Sequence, residues 1–276
     1  MKFREIWPFI STRFKLSSIP VKKLHASSDT DIPVIVSLTT IPSRIKSVHL
    51  TVRSILSQNQ KPKKVVLWLH ENLKSKVPSS LQKIEGPLFK IHFTKNDFSH
   101  LKLIETINLY PDEYIITVDD DLMYPPEFLT LLYNTHKKYP NTIVANEVRQ
   151  ITYTKDGTPK PYVEWYHTKE QPKDSTFLLP LGVFGVLYPP NSLHEDATNS
   201  ELIKKLAPKA DDLWFRAMGI LQKTEVIISE TQPSPAVLIL GTQAIALKRT
   251  NKHQDYNRTQ WEQLMEYYGI SATTKI

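Results

Sequence analysis

Four short apolar runs recur across the first 125 residues, at Val34–Leu38, Val65–Leu69, Lys90–Thr94 and Tyr114–Val118, and helical patterns separate them. The first helical pattern runs from Arg44 to about Gln58, with Ile45, Val48, Val52, Ile55 and Leu56 on one face and Ser43 placed to cap it. A short helix is expected around Leu81 and another over Leu101–Leu109. Strand and helix in alternation predict an α/β chain: a mostly parallel, Rossmann-like sheet with helices on both faces. Ligands of such sheets sit beyond the carboxyl ends of the strands. Those ends are residues 39–44, 70–71, 95–99 and 119–121, so the expected site is confined to one edge of the sheet.

The fourth run stops at three consecutive carboxylates, Asp119, Asp120 and Asp121. Three acids at the end of a buried strand raise one another's pKa unless a counter-charge is near. If the backbone stays extended, Asp119 and Asp121 point to one side and Asp120 to the other. Paired oxygen ligands of that kind suit a hard divalent cation, Mn²⁺ or Mg²⁺. The plainer reading, a solvated acidic turn, loses weight because the acids lie at the mouth where the sheet would bind a ligand.

Past Pro125, a helix is expected from Pro126 to about Tyr139, then a strand over 142–146. Segments 148–154 and 161–165 read as a hairpin around the Asp156-Gly157 turn signal. Residues 177–188 form an apolar stretch holding Gly182 and Gly185, and a helix opens at Asp211 and runs to about Leu221. Strands over 226–229 and 243–247 and a helix over 259–268 finish the chain. The expected organisation is a basic leader, residues 1–31, and a single catalytic domain, residues 32–276. Within it a nucleotide-binding part would cover about 32–125 and a smaller acceptor-side extension about 126–276.

Composition removes several chemistries. With no cysteine there is no disulfide, thiolate metal site or thiol nucleophile, which fits a reducing compartment. The 7 glycines form neither G-x-G-x-x-G nor G-x-x-x-x-G-K-[ST], so phosphate must be held by side chains and a metal. The net charge of +7 favours acidic partners. Its basic residues are dispersed and accompany no recognised motif, so nucleic acid is not an expected partner. The leader interleaves Lys2, Arg4, Arg13, Lys15, Lys22 and Lys23 with Phe3, Trp7, Phe9 and Phe14. That mixture suits either an anionic membrane surface or packing on the domain.

A second acidic pair, Asp211-Asp212, follows the first cluster by about 90 residues. An Asp at a helix start caps free N–H groups, worth roughly 0.5–2 kcal/mol. A general base that deprotonates an attacking hydroxyl is worth ~10²–10⁴-fold in rate. One Asp can cap while its neighbour does chemistry. Arg44 and Lys102 can reach a diphosphate, Arg44 with a bidentate fork and Lys102 as a point charge, or can be solvated helix-start cations. His253 is a candidate late metal or phosphate ligand or a surface histidine. Trp165, Trp214 and Tyr188 can stack on a sugar or fill a core, and Gly182 and Gly185 can let backbone approach a ligand or only relieve a crowded strand, with Trp165, Gly182 and Trp214 the acceptor candidates.

Four stretches, residues 36–44, 102–103, 118–125 and 210–214, together resemble the GT-A nucleotide-sugar glycosyltransferases. The likeness is closest to the family-2-like enzymes of bacterial capsule, lipopolysaccharide and surface-glycan assembly, and runs over roughly residues 33–260. The resemblance implies an Asp-x-Asp motif at Asp119 and Asp121 that touches ribose and holds Mn²⁺ or Mg²⁺ on the diphosphate, with Asp120 near the donor sugar. Thr39, Arg44 and Lys102 would line the nucleotide pocket, and Asp212, with Asp211 beside it, would be the base of an inverting displacement. It also implies a UDP-sugar donor and a glycan or lipid-linked acceptor, and the basic leader would suit a cytoplasmic enzyme peripheral to the inner membrane face, near lipid-linked acceptors. Many relatives carry Glu-Asp where this chain has Asp211-Asp212, which leaves the register of the base open by one residue. Rival readings are a metal-dependent nucleotidyltransferase or phosphatase, and a non-catalytic sugar-phosphate-binding module. The first strand is followed by Thr39-Thr40-Ile41-Pro42-Ser43 and not by a glycine-rich loop, which disfavours the nucleotidyltransferase.

Overall fold

The computed structural model describes residues 3–27, 31–242 and 255–276. Seven strands form the central sheet: β1 (Ile32–Thr39), β2 (Pro62–His70), β3 (Phe89–Thr94), β4 (Tyr114–Thr117), β6 (Ile143–Ala145), β10 (Val186–Tyr188) and β11 (Val226–Ile228). Their order is β11-β6-β10-β4-β1-β2-β3. Every neighbouring pair is parallel except the two made by β10, which runs antiparallel to both β4 and β6. The expected mostly parallel α/β sheet is therefore present. β1 pairs with β2 on one side and β4 on the other, so chain order reverses between β1 and β4. That switch point opens a crevice beyond their carboxyl ends, at Thr39–Arg44 and Asp119–Asp121.

The strand period of two sends Val34, Val36 and Leu38 of β1 to one face, against Val52, Ile55 and Leu56 of α3 (His49–Leu56). Ile35 faces the other way, in the cluster with Leu101, Leu103 and Ile104 of α5 (Leu101–Leu109). Helices thus cover both faces, as buried parallel strands require. The second face also carries α8 (Asp211–Leu221), with Trp214 and Phe215 in its core, and α9 (Tyr256–Tyr268), with Trp261 and Leu264. The first face is extended by α6 (Phe128–Lys138) through Phe128, Leu129 and Leu132. Two small sheets flank the main one: β5 (Leu122–Met123) with β12 (Val237–Leu238), and β7 (Val148–Gln150) between β8 (Tyr166–Thr168) and β9 (Leu178–Pro180).

Several local expectations are corrected. The helix expected from Arg44 starts at His49, and Ser43 caps nothing. Residues 41–50 instead make successive i to i+3 bonds, Arg44 N–H to Ile41 O, Ser47 N–H to Arg44 O and Leu50 N–H to Ser47 O. The Arg44 carbonyl accepts the Val48 N–H at 3.1 Å and the Ser47 hydroxyl as well, so three- and four-residue bonds mix here before α3 begins. Pro126 precedes α6 instead of starting it, because its carbonyl is taken by the Asn59 N–H at 2.8 Å. The Asp156-Gly157 turn forms, with Gly157 at φ 86° and Thr154 N–H on Thr158 O. The return arm 161–165, however, is a 3₁₀ turn over Tyr162–Glu164, and β7 pairs with β8 and β9. The strand expected over 243–247 lies outside the described residues.

The leader is folded, as α1 (Phe3–Ser18) and α2 (Val21–Leu24). α1 rests on α3 and β12, where Leu16 joins Leu50, Met123 and Ile239. No helix among the described residues is long and apolar enough to cross a membrane.

Candidate active site

The backbone does not stay extended through the three acids. It turns at Asp120–Asp121, where the Asp120 carbonyl accepts from the Thr51 hydroxyl and the Asp121 carbonyl from the Ile239 N–H. The side chains therefore divide differently from the expected one-two alternation. Asp120 and Asp121 share Arg44, at 2.7 and 3.4 Å, while Asp119 turns to Lys102 at 2.8 Å. Asp120 is the most enclosed: it also accepts the Thr40 hydroxyl, and burial pushes its pKa up against the pull of Arg44. Arg44 is tied further by Nε to the Thr242 carbonyl at 3.2 Å. Burial alone would lower its pKa, but Asp120 and Asp121 outweigh that and raise it.

The second cluster arrives on α8. Lys102 Nζ, almost fully buried, lies 2.9 Å from Asp211 Oδ2 and so joins both clusters. Desolvation would lower the lysine pKa, yet Asp119 and Asp211 hold it well above the usual value. Asp211 and Asp212 are split. Burial opposes ionisation of Asp211, but Lys102 and the nearby His100 overcome it and hold its pKa down at about 2. Asp212 is pushed up to about 8 by burial and by the charge of Asp211. Its Oδ1 accepts the Gly182 N–H at 3.1 Å. A Cβ on residue 182 would lie 2.9 Å from both Asp212 Oδ1 and Lys102 Nζ, so only glycine leaves this approach open.

Of the expected site residues, Arg44, Lys102, Asp119, Asp120, Asp121, Asp211, Asp212 and Gly182 converge on one mouth. Thr39 borders it, with its hydroxyl committed to the Trp68 carbonyl at 2.9 Å. Trp165 and Trp214 do not face it. Both are fully buried, and their indole N–H groups donate to Lys160 O and Ala197 O, which makes them core residues and not a sugar platform. Tyr188 is buried as well, packed near Phe215. His253 lies outside the described residues. Two contributors were not anticipated. Thr40 holds Asp120, and the Tyr124 hydroxyl accepts the Asp119 N–H at 3.0 Å while donating to Val183 O at 3.0 Å. Tyr124 thus ties the first acid to the Gly182 segment. Its only sequence signal is its place three residues after the acids.

Metal chemistry can be tested against the donor set. Among the described residues no three His, Cys, Asp or Glu groups form a ready-made metal cluster. A hard divalent cation at a diphosphate needs only one or two protein carboxylates, the rest coming from phosphate and water. Asp119, Asp120, Asp121 and Asp211 face Arg44 and Lys102, a formal excess of two negative charges. Carboxylate donors with that net negative charge fit such an ion.

Comparison with known proteins bears on the same region. Among curated proteins, none matches the chain. Among solved structures, it is similar to 4-diphosphocytidyl-2C-methyl-D-erythritol synthase from Anaerococcus prevotii DSM 20548, with 12% identity and a TM-score of 0.49, over 82% of this chain and 96% of that one. The model of glycosyl transferase family 2 matches residues 43–187, just over half of the chain, spanning Arg44, Lys102, the three acids and Gly182. The chain, a glycosyltransferase with a GT-A-like α/β fold, belongs to glycosyl transferase family 2.

Proposed function

We propose that the protein moves a hexose from a nucleotide-sugar, a UDP-sugar, to a hydroxyl of a glycan or lipid-linked acceptor, with inversion at the anomeric carbon. Lys102 carries the reading: one buried ammonium bridges Asp119 at 2.8 Å and Asp211 at 2.9 Å, putting the donor-side acids and the acidic pair at one point. A diphosphate would be met there by Arg44 and Lys102, with Asp120 on the donor-sugar side and Thr39 at the nucleotide edge. Asp119 and Asp121 would hold Mn²⁺ or Mg²⁺. When bound, the ion supplies positive charge that offsets the negative charge growing on the leaving diphosphate.

Asp212 is the base in this scheme. A base works best with a pKa near the working pH, and Asp212 at about 8 meets that where Asp211 at about 2 does not. Asp212 takes the proton of the acceptor hydroxyl as its oxygen attacks the anomeric carbon from the face opposite the diphosphate. The bond from that carbon to the diphosphate oxygen breaks, and the nucleoside diphosphate leaves with the electron pair. The Gly182 N–H, donating to Asp212 Oδ1, orients the carboxylate. The working domain would be residues 32–276, with acceptor specificity set by the part after residue 126. The leader, residues 1–31, would sit at an anionic membrane surface, on the cytoplasmic face if the acceptor is lipid-linked.

The test is a nucleotide-sugar panel scored for hydrolysis and transfer with and without Mn²⁺, followed by NMR of the product anomer. Metal-dependent use of one UDP-sugar with inverted product is expected. Retained configuration, or unchanged metal-independent activity in Asp121→Ala, overturns the scheme.

A further inference from the structure

We propose that the outward face of α1 is a docking surface for an anionic lipid bilayer, rigidly mounted beside the donor-site acids. This deepens the membrane part of the reading above and stands independently of the transfer chemistry.

The helix has apolar residues on two opposite sides. On its inner side Leu16 is buried and Phe9 partly so, against α3 and β12. On its outer side Trp7, Ile10 and Phe14 are 75%, 50% and 77% exposed. Their spacing of three and four residues stacks them into one stripe at 3.6 residues per turn. An inner stripe accounts for packing on the domain, but among the described residues nothing covers the two large aromatics of the outer one.

The charges around the stripe indicate what covers it. Arg13 and Lys15 flank it on either side of the helix, and Lys22 and Lys23 continue the basic surface onto α2, all of them exposed. Aromatic and aliphatic side chains bordered by Lys and Arg, with the long stems able to lie along apolar surface, match a leaflet interface carrying negative headgroups.

The mounting is fixed. Arg53 of α3 donates Nε to Leu16 O at 2.8 Å and its Nη2 to Ser17 O and Ile19 O, tying down carbonyls at the end of α1 and just beyond it. Lys61 does the same for α2, donating to the carbonyls of Lys23, Leu24 and Ala26. The surface beneath α1 leads straight to the site: β12 pairs with β5, which begins directly after Asp121, and Ile239 N–H donates to Asp121 O at 2.8 Å. A bilayer gripped by the stripe is therefore held in a set position relative to the donor carboxylates, as an enzyme acting on a lipid-anchored acceptor requires.

Trp7 supplies a built-in probe, because the other four tryptophans, Trp68, Trp165, Trp214 and Trp261, are buried. The full chain is mixed with vesicles of phosphatidylcholine alone or with phosphatidylglycerol added, and followed by sedimentation and by quenching of Trp7 with a water-soluble quencher. Expected are co-sedimentation and shielding of Trp7 with the anionic vesicles, at least ~10-fold weaker partition on the neutral ones, and loss in high salt. The Trp7→Ser/Ile10→Ser/Phe14→Ser variant should lose ~10-fold or more of the binding while its hydrolysis of nucleotide-sugar stays unchanged. Should that variant fail to fold, Lys15→Glu/Lys22→Glu/Lys23→Glu, which alters only exposed side chains, must weaken anionic binding. No binding by the wild type, equal binding to both vesicles, undiminished binding in the variants, or a dimer that the triple serine variant dissolves would each overturn the proposal. None of these readouts depends on sugar transfer, so they fail separately from the proposed activity.

Discussion

At residues 119–121 every carboxylate has a cation within reach, whereas at 211–212 the first acid takes Lys102 and the second is left to a backbone N–H and the repulsion of its neighbour. Both clusters close the same mouth, yet Asp211 and Asp212 are driven in opposite directions, to about 2 and about 8. Fully paired acids hold charge in place. An acid for which burial and an ionised neighbour outweigh the pull of Lys102 holds a proton that it can exchange near neutral pH. The contrast assigns anchoring to one cluster and proton transfer to the other, and it can be broken by experiment.

The largest effect is expected at Asp212. Asp212→Asn should lower turnover at saturating donor by ~10²–10⁴-fold, with Asp211→Asn losing less. The same change should raise stability. Asp212 ionises near 8 in the fold and near 3.8 when unfolded, so the unfolded chain releases a proton over that interval and stability falls as pH rises through it. Removing the carboxyl should recover that loss at neutral pH, read as a higher midpoint in urea unfolding. A less stable Asp212→Asn, or a greater kinetic loss in Asp211→Asn, would reverse the assignment.

Next comes the shared lysine. Lys102→Ala leaves Asp119 and Asp211 without their buried partner and should cost about 3–5 kcal/mol. Arg44→Ala removes a more exposed partner, its side chain 14% accessible against 6% for Lys102, and should cost less while raising KM for the donor. Equal losses would mean that the different exposure of the two cations does not set the cost of removing them.

Acid sharpens the comparison from another side. His100 packs beside Phe98 and Phe215, with ring centres 5.5 and 5.7 Å away, and burial holds its pKa down to about 4 despite the attraction of Asp211. The unfolded imidazole takes a proton below about 6.5 and the folded one does not until about 4, so stability should fall as pH drops through that window. Most of the effect, about 2–3 kcal/mol, is read as the difference in unfolding free energy between wild type and His100→Gln at pH 7 and pH 4.5. A difference that does not change with pH would refute it.

The first cluster and its sheet were legible because periodicity survives in long, buried elements. β1, β2, β3, α5 and α8 fall where the apolar runs put them, and the strand ends carry the acids. The reading failed where side chains reach across the sequence. Trp165 and Trp214 look the same on paper whether they stack on sugar or fill a core, and only the packing of α8 and the 148–180 segment decides. The alternation expected for the three acids was lost to the Thr51 and Ile239 bonds that turn the backbone, and the regular helix from Arg44 to the i to i+3 bonds of residues 41–50. Thr40 and Tyr124 carry no signature that separates them from any other buried hydroxyl.

The smallest effect expected is also the most selective. Gly182 donates its N–H to Asp212, and a methyl there would sit 2.9 Å from both the carboxylate oxygen and Lys102 Nζ. Lysine and aspartate side chains can each yield a few tenths of an ångström, so Gly182→Ala should leave unfolding nearly unchanged. That displacement falls on the base and on the ion pair linking the two clusters, where positioning errors on the ångström scale are costly, so turnover should drop about tenfold. Donor KM should move little, because Arg44 and Asp120 are not displaced. A Gly182→Ala enzyme with weakened donor binding and normal turnover would show that Gly182 serves the anchoring cluster and that the division between the two is drawn in the wrong place.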